Sequence, residues 1–187
     1  MSPVGGNRGV LLRALALRGQ GRRFALALVT DTEGSTYRKP GALALVADDG
    51  ERFGAISGGC LEPALDQLAH DALASGRVAV ALFDTRGDDD LVFGSGSGCR
   101  GRMRVLAWPV APGAHPFFDA LCQAQADGVA LELLLAVDAA DAGRGLAWRA
   151  DRHFDFDPPA GAADQGLRIR AADIAEPHPS IRVTHLD

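Results

Sequence analysis

Short apolar runs dominate the first half of the chain, and their length constrains the fold more than any other feature. FALALVT at Phe24–Thr30, ALALVA at Ala42–Ala47, VAVALF at Val78–Phe83 and MRVLAW at Met103–Trp108 are too brief for typical helices and are separated by turn formers. Such runs read as buried strands of a covered sheet. Phe53–Ile56 adds a strand to Ala42–Ala47 through Asp48-Asp49-Gly50, a strong hairpin signal. Arg8–Arg18, with Leu11, Leu12, Leu15 and Leu17, predicts an amphipathic helix that stops at Gly19 and Gly21. In Leu61–Ser75 the residues Leu61, Leu65, Leu68 and Ala72 recur at helical spacing until Gly76 ends the run. Strands alternating with helices predict an α/β class for residues 1–110, a layered sheet with helices. Pro109, Pro112 and Pro116 then break the chain. Residues 111–187 read as a smaller α+β segment, with a helix at Phe117–Ala126 and strands at Val129–Val137, Leu146–Trp148, Leu167–Arg170 and Ile181–Thr184.

Charge and composition exclude several functions. Nineteen basic residues against 24 acidic ones give a net charge of -5, and aromatics are 6% of the chain. A nucleic-acid binder needs a basic excess and stacking rings, so no nucleic acid is expected. Arg100-Gly101-Arg102-Met103-Arg104 alternates at strand spacing and reads as a solvated strand face. No run approaches the ~20 apolar residues that cross a bilayer, and Met1–Gly9 is not ordered like a secretory signal. Three widely spaced cysteines do not make a disulfide framework. These features predict a cytoplasmic protein with free thiols and no membrane partner.

Three loops carry the chemistry. Glu33–Gly41 leaves a buried strand with glycine, two hydroxyls, Arg38 and Lys39. Its backbone and Arg38 suit an anion, although a plain strand connection uses the same turn residues. Asp31–Gly41 as a whole is expected to be irregular. Ser57-Gly58-Gly59-Cys60-Leu61-Glu62-Pro63 lies between a strand and a helix. A helix start favours phosphate and thiolate, while a tight turn around a small buried cysteine is the alternative. Gly94–Gly101 is rich in glycine and serine and precedes a strand, so it is no dinucleotide fingerprint. Gly59-Cys60 and Gly98-Cys99 converge on one pocket if their strands are central in one sheet. Structural zinc is disfavoured because Cys-x-x-Cys is absent and Cys122 sits on the helix beyond the boundary. His153, Asp155 and Asp157 alternate and read as a solvated strand face.

Taken in order, Gly34-Ser35-x-x-Arg38-x-Pro40-Gly41, Gly54-x-x-Ser57-Gly58-Gly59-Cys60-x-Glu62 and Gly98-Cys99-x-Gly101 resemble the three motifs of the XdhC/CoxI family over residues 10 to 110. The third motif departs from the family's usual Cys-Gly-Gly by carrying Arg100 after Cys99. Family members commonly continue into a dinucleotide-binding-like domain that this sequence lacks, so a front part or a short variant is expected.

The resemblance implies an accessory protein without turnover of its own. It would bind molybdenum cofactor (molybdopterin) as cargo, assist its sulfuration and deliver it to a molybdenum hydroxylase such as xanthine dehydrogenase. On that reading Cys60 and Cys99 lie at the metal or its sulfur. Ser35, Arg38, Gly58 and Gly59 hold the phosphate and pterin, Glu62 positions a loop or a pterin nitrogen, and Gly34, Ser57 and Gly101 complete the cofactor-binding set. A cysteine desulfurase and a second copy of the chain are further candidate partners. Two rivals remain at this level: a sulfur- or acyl-transferase with Cys60 as nucleophile, and a docking module for the target enzyme that binds no cofactor.

Overall fold

The computed structural model describes residues 5–86, 100–137, 142–143, 145–148, 153–156 and 181–185. Gly94–Cys99 and Asp157 lie outside the described residues, as does the strand expected at Leu167–Arg170. The chain forms two compact units, Met1–Pro112 and Gly113–Asp187.

In the first unit α1 (Gly6–Gly19), β1 (Phe24–Gly34), β2 (Leu43–Ala47), β3 (Arg52–Phe53), α2 (Glu62–Ser75), β4 (Ala79–Asp84) and β5 (Gly101–Val110) follow one another. The strands build one sheet in the order β3-β2-β1-β5-β4, and every pair in it is antiparallel. The α/β layering predicted from the apolar runs is present. One sheet face is made of small side chains, among them Ala25, Ala27, Val29, Ala44, Val46, Val105 and Ala107. Their size lets α2 press Leu65, Leu68, Ala69 and Ala72 into the same core. Alternation turns Phe24, Leu26, Leu28, Leu43 and Leu45 to the opposite face, where they are equally buried. Helix α1 packs on β1 and β2 and buries Val10, Leu11, Ala14 and Leu17.

Polar contacts fix how α1 sits. Asn7 donates from Nδ2 to the Gly41 carbonyl at 2.8 Å and accepts from the Leu43 N–H at 2.9 Å. Arg13 grips Glu51 with two bonds of 2.7 Å, and Arg22 adds a third at 3.1 Å. The hairpin turn is thereby tied back to the first helix. The Arg13 hydrogen bond, foremost, holds the Glu51 carboxyl below the usual carboxylate range.

Two boundaries differ from the sequence expectation. β1 does not stop at Thr30 but bulges there and runs on to Gly34. Past the bulge Asp31 faces Arg104 and Glu33 faces Arg102, with ion-pair distances of 3.2 and 3.0 Å. Opposite charges across a ladder stabilise a strand that its turn-forming composition opposes. β5 correspondingly starts at Gly101, before the apolar run. Arg102 and Arg104 therefore face partner carboxylates and are half-buried, while Arg100 precedes the strand and is exposed. The second strand of the hairpin, β3, is shorter than expected and ends before Gly54, which takes φ +82°.

The second unit contains α3 (Pro116–Asp127), β6 (Leu131–Leu135), β7 (Gly145–Trp148), β8 (His153–Phe156) and β9 (Ile181–His185). Its sheet runs β8-β7-β6-β9, with β6 and β9 parallel. His115 starts α3 by accepting the Phe118 N–H at its Nδ1, while Asp119 accepts the His115 N–H. This is a reciprocal cap. Among the described residues no helix is long and apolar enough to cross a membrane.

Candidate functional site

The loop after β3 begins at a crowded glycine. A Cβ on Gly54 would lie 2.7 Å from Val10 Cγ2 and 3.0 Å from the Leu43 carbonyl oxygen, so only glycine turns the chain here. Two residues on, Ile56 is fully buried and Ser57 is 4% exposed. Gly58, Gly59 and Cys60 then emerge on the surface before α2.

Ser57 organises this stretch. Its hydroxyl donates to Glu62 Oε2 at 2.7 Å and accepts the backbone N–H groups of Gly59 at 3.2 Å and Leu61 at 3.1 Å. Glu62 opens α2, Pro63 stands in its first turn, and Leu61 is the capping residue. Helix α2 thus starts at Glu62, and Ser57–Cys60 is the bend that leads into it. Gly59 has φ +119°, and nothing lies within 4 Å of a Cβ added there.

The first and third loops interlock through two glycines. Gly34 (φ +72°) faces Gly101 at the end of the β1–β5 ladder. A Cβ on Gly34 would reach 2.6 Å from the Arg100 carbonyl oxygen. One on Gly101 would strike the Ser35 carbonyl and lie 2.7 Å from Thr36 Cγ2 and 2.8 Å from the Glu33 carbonyl. Thr85 locks the crossing from β4: its hydroxyl donates to the Gly101 carbonyl at 2.9 Å and accepts the Gly101 N–H at 3.2 Å.

These loops enclose one open cleft of about 290 Å³, solvent at its mouth included. Ile56, Phe83 and Met103 give it apolar walls. Ser35, Thr36, Ser57 and Thr85 bring hydroxyls, Cys60 brings a thiol, and Tyr37, Leu61 and Gly101 complete the described lining. Tyr37 is 59% exposed. Its Cδ2 and Cε2 lie 3.6 and 3.7 Å from where a Gly58 side chain would begin, so the ring stands beside the space that Gly58 leaves open.

Of the residues singled out from the sequence, Ser35, Ser57, Cys60 and Gly101 line the cleft. Gly34, Gly58, Gly59 and Glu62 shape the backbone around it. Arg38 is half-buried and is not in the described lining; its carbonyl accepts the Thr36 hydroxyl at 2.9 Å. Cys99 lies outside the described residues. The premise that both cysteine loops adjoin central strands holds for β5 but not for β3, an edge strand. The Gly54 turn carries Cys60 to the cleft instead. Cys122 belongs to α3 in the other unit. Among the described residues no group of three His, Cys, Asp or Glu side chains could hold a metal ion.

Sequence reasoning assigned no role to Tyr37, Ile56, Phe83, Thr85 or Met103. Strand alternation carried the signal for two of them, since Phe83 and Met103 fall on the α2 face of adjacent strands. On the other face Arg86 bonds Asp84 and Glu33 at the strand ends. The Arg86 hydrogen bonds, first among the causes, push the Asp84 carboxyl down to about 2.

Chemically, the described lining offers soft sulfur, hydroxyls and apolar carbon but no histidine, carboxylate or amine.

Residues 17–84 match the XdhC and CoxI family. That stretch contains the first two motifs, and the third lies beyond it. The chain is 41% identical over 83 residues to a probable xanthine dehydrogenase subunit of Bacillus subtilis (strain 168), a match covering 44% of this chain and 25% of that protein. A crystal structure of a xanthine dehydrogenase from Bacillus halodurans resembles it with a TM-score of 0.61 and 28% identity, over 78% of this chain and 44% of that one. The chain therefore spans about a quarter of the curated relative and under half of the solved one.

Proposed function

From an XdhC/CoxI segment at residues 17–84, we propose that this protein is an accessory factor for a xanthine dehydrogenase-like molybdenum hydroxylase. Its first unit holds molybdenum cofactor as cargo, assists sulfuration and passes the cofactor to the apo-enzyme. One observation carries the reading: loops distant in sequence bring Ser35, Ser57, Cys60 and Gly101 to a single cleft. The donor set suits this cargo, because thiol is a fitting neighbour for a sulfur-ligated metal and hydroxyls suit the polar edge of a pterin. Cys60 stands nearest in chemistry to the metal end, with Cys99 as its partner thiol. Arg38, outside the cleft lining, serves the phosphate, and Gly58 and Gly59 present their backbone to it. A cysteine desulfurase is the matching sulfur donor, and a homodimer the proposed assembly.

A transferase with Cys60 as nucleophile needs a base, and the described cleft lining supplies none. The cargo reading is tested by co-expressing the chain in a cofactor-producing host. Molybdenum and oxidised-pterin fluorescence are then measured per folded molecule. Retention in the parent, its loss in Cys60→Ser and its weakening in Arg38→Ala are expected. A folded parent carrying neither metal nor pterin would leave docking to the hydroxylase as the remaining role.

A further inference from the structure

The two edges of the first sheet are built differently. Strand β3 closes one edge with two residues, one of them Arg52, and a short charged edge resists further pairing. Strand β4 closes the other with six residues, Ala79–Asp84. It carries no proline, no lysine and no bulge in its ladder with β5, and among the described residues β5 is its only strand neighbour. Thr85 donates its N–H to the Gly101 carbonyl. Alternation therefore turns the backbone of Phe83, Ala81 and Ala79 towards β5, and that of Asp84, Leu82 and Val80 outward. Leu82, in the middle of this open edge, is 51% exposed. We propose that β4 pairs antiparallel with β4 of a second copy of the chain, with Ala81 facing Ala81 across a two-fold axis, so that two five-stranded sheets join into one. This gives the proposed homodimer its interface; it rests on that assembly and not on the cofactor cargo.

Self-complementarity selects a second copy and this register. A two-fold axis normal to the sheet keeps each strand's core face on the same side, so odd residues meet odd and even meet even. With Ala81 on the axis, Val80 stands opposite the partner's Leu82, and Ala79 opposite the partner's Phe83. Both are apolar pairs, and symmetry makes each of them twice. The outward N–H and carbonyl groups of Val80 and Leu82 then exchange hydrogen bonds. Moving the axis to Leu82 would set Val80 against the partner's Asp84. Moving it to Val80 would set Asp84 against the partner's Gly76, a helix stop outside the strand. Charge favours the same register. Arg77, which is exposed, comes to the partner's strand end beside Asp84, at both ends of the pair. That carboxylate accepts three hydrogen bonds from Arg86, fewer than it can take. A contact between strands this short is small by interface standards, so the dimer dissociates on dilution.

Sedimentation velocity of the full 187-residue chain over a dilution series tests the pairing. The parent is expected to pass from dimer to monomer as it is diluted. Leu82→Lys puts a charge on the open edge and is expected to weaken association roughly tenfold or more. Leu12→Lys, at a similarly exposed leucine on α1 (48%), should associate like the parent. Both sites are exposed, so melting temperatures should stay near the parent's. The register has its own readout. Under mild oxidation Ala81→Cys should form a disulfide between copies, because residues facing each other across such an axis lie within disulfide range. Ala79→Cys should not, and peptide mapping keeps these thiols apart from the three native cysteines. A parent that is monomeric at every concentration overturns the interface and the homodimer together, and leaves the cargo reading untouched. A dimer that survives Leu82→Lys, or yields to Leu12→Lys instead, keeps the homodimer and overturns this interface. Crosslinking through Ala79→Cys and not Ala81→Cys overturns the register.

Discussion

Replacing Ser57 by alanine is the most direct probe of how the cysteine loop is held. Ser57 is 4% exposed, and its hydroxyl makes three hydrogen bonds, one to a carboxylate. A bond to a charged group contributes about 1.5–3 kcal/mol, and a neutral one about 1 kcal/mol. The Gly59 N–H sits on an exposed residue, so water replaces part of its loss. Ser57→Ala should therefore lower unfolding free energy by about 2 kcal/mol, near the contribution of the charged bond alone and below the sum of all three. Urea denaturation followed by helical circular dichroism measures it. Glu62→Gln is the comparison, because its amide oxygen still accepts from Ser57 and loses only the charge contribution, about 1 kcal/mol. A Ser57→Ala loss under about 0.5 kcal/mol, the usual range for surface changes, would refute the claim that this hydroxyl organises the loop.

Gly101→Ala should destabilise the first unit by at least about 2 kcal/mol, since the added carbon meets the Ser35 and Glu33 backbone oxygens, which cannot swing aside as the Thr36 methyl can; chemical denaturation reads it. Gly59→Ala has open space around its Cβ but a φ of +119°, so the strain alone should cost about 1–3 kcal/mol. Denaturation gives that figure, and pterin retention per folded molecule then reports any separate loss of backbone contact. The Asp84 carboxyl is depressed from its ordinary 3.8 to about 2 when folded, so its contribution is present above pH about 4 and fades as pH falls towards 2. Asp84→Asn should accordingly flatten the fall in melting temperature over that interval, and an unchanged profile would discount the Arg86 pairing.

Much of the fold was legible because apolar runs report burial directly. Ala42–Ala47 and Val78–Phe83 matched strands within a residue or two, and Gly76 ended α2 in the left-handed conformation expected of a helix stop. Legibility failed where structure came from partners distant in sequence. Asp31 and Glu33 read as turn residues until Arg104 and Arg102 stood opposite them. Of the site, the loop around Ser57 was recognisable from its residues. The walls of the cleft were not, because Phe83 and Met103 look like ordinary core positions in a linear reading. Tyr37 was hidden for the opposite reason, as one residue in a polar loop with no periodic pattern to mark it.

The structure separates glycines that the sequence grouped together. Gly34, Gly58, Gly59 and Gly101 all entered as cofactor-binding residues through the family resemblance. Gly34 and Gly101 lack side chains because chain crosses over them, within 3 Å of where a Cβ would stand. Hydrogen bonds close the crossing: the Arg100 carbonyl accepts the Ser35 N–H at 3.3 Å, and Thr85, just after β4, occupies both polar groups of Gly101. Gly58 and Gly59 differ, being exposed, and Gly59 has open space at its Cβ position. The exposed, uncrowded backbone among these positions is therefore that of the bend before α2, beside Cys60. The two interlocked glycines act one step removed, by fixing where Ser35 and Tyr37 meet that bend. Mutations at these positions should differ in cause: at Gly34 and Gly101 the cost is mainly collision with neighbouring chain, and at Gly59 it is backbone strain alone.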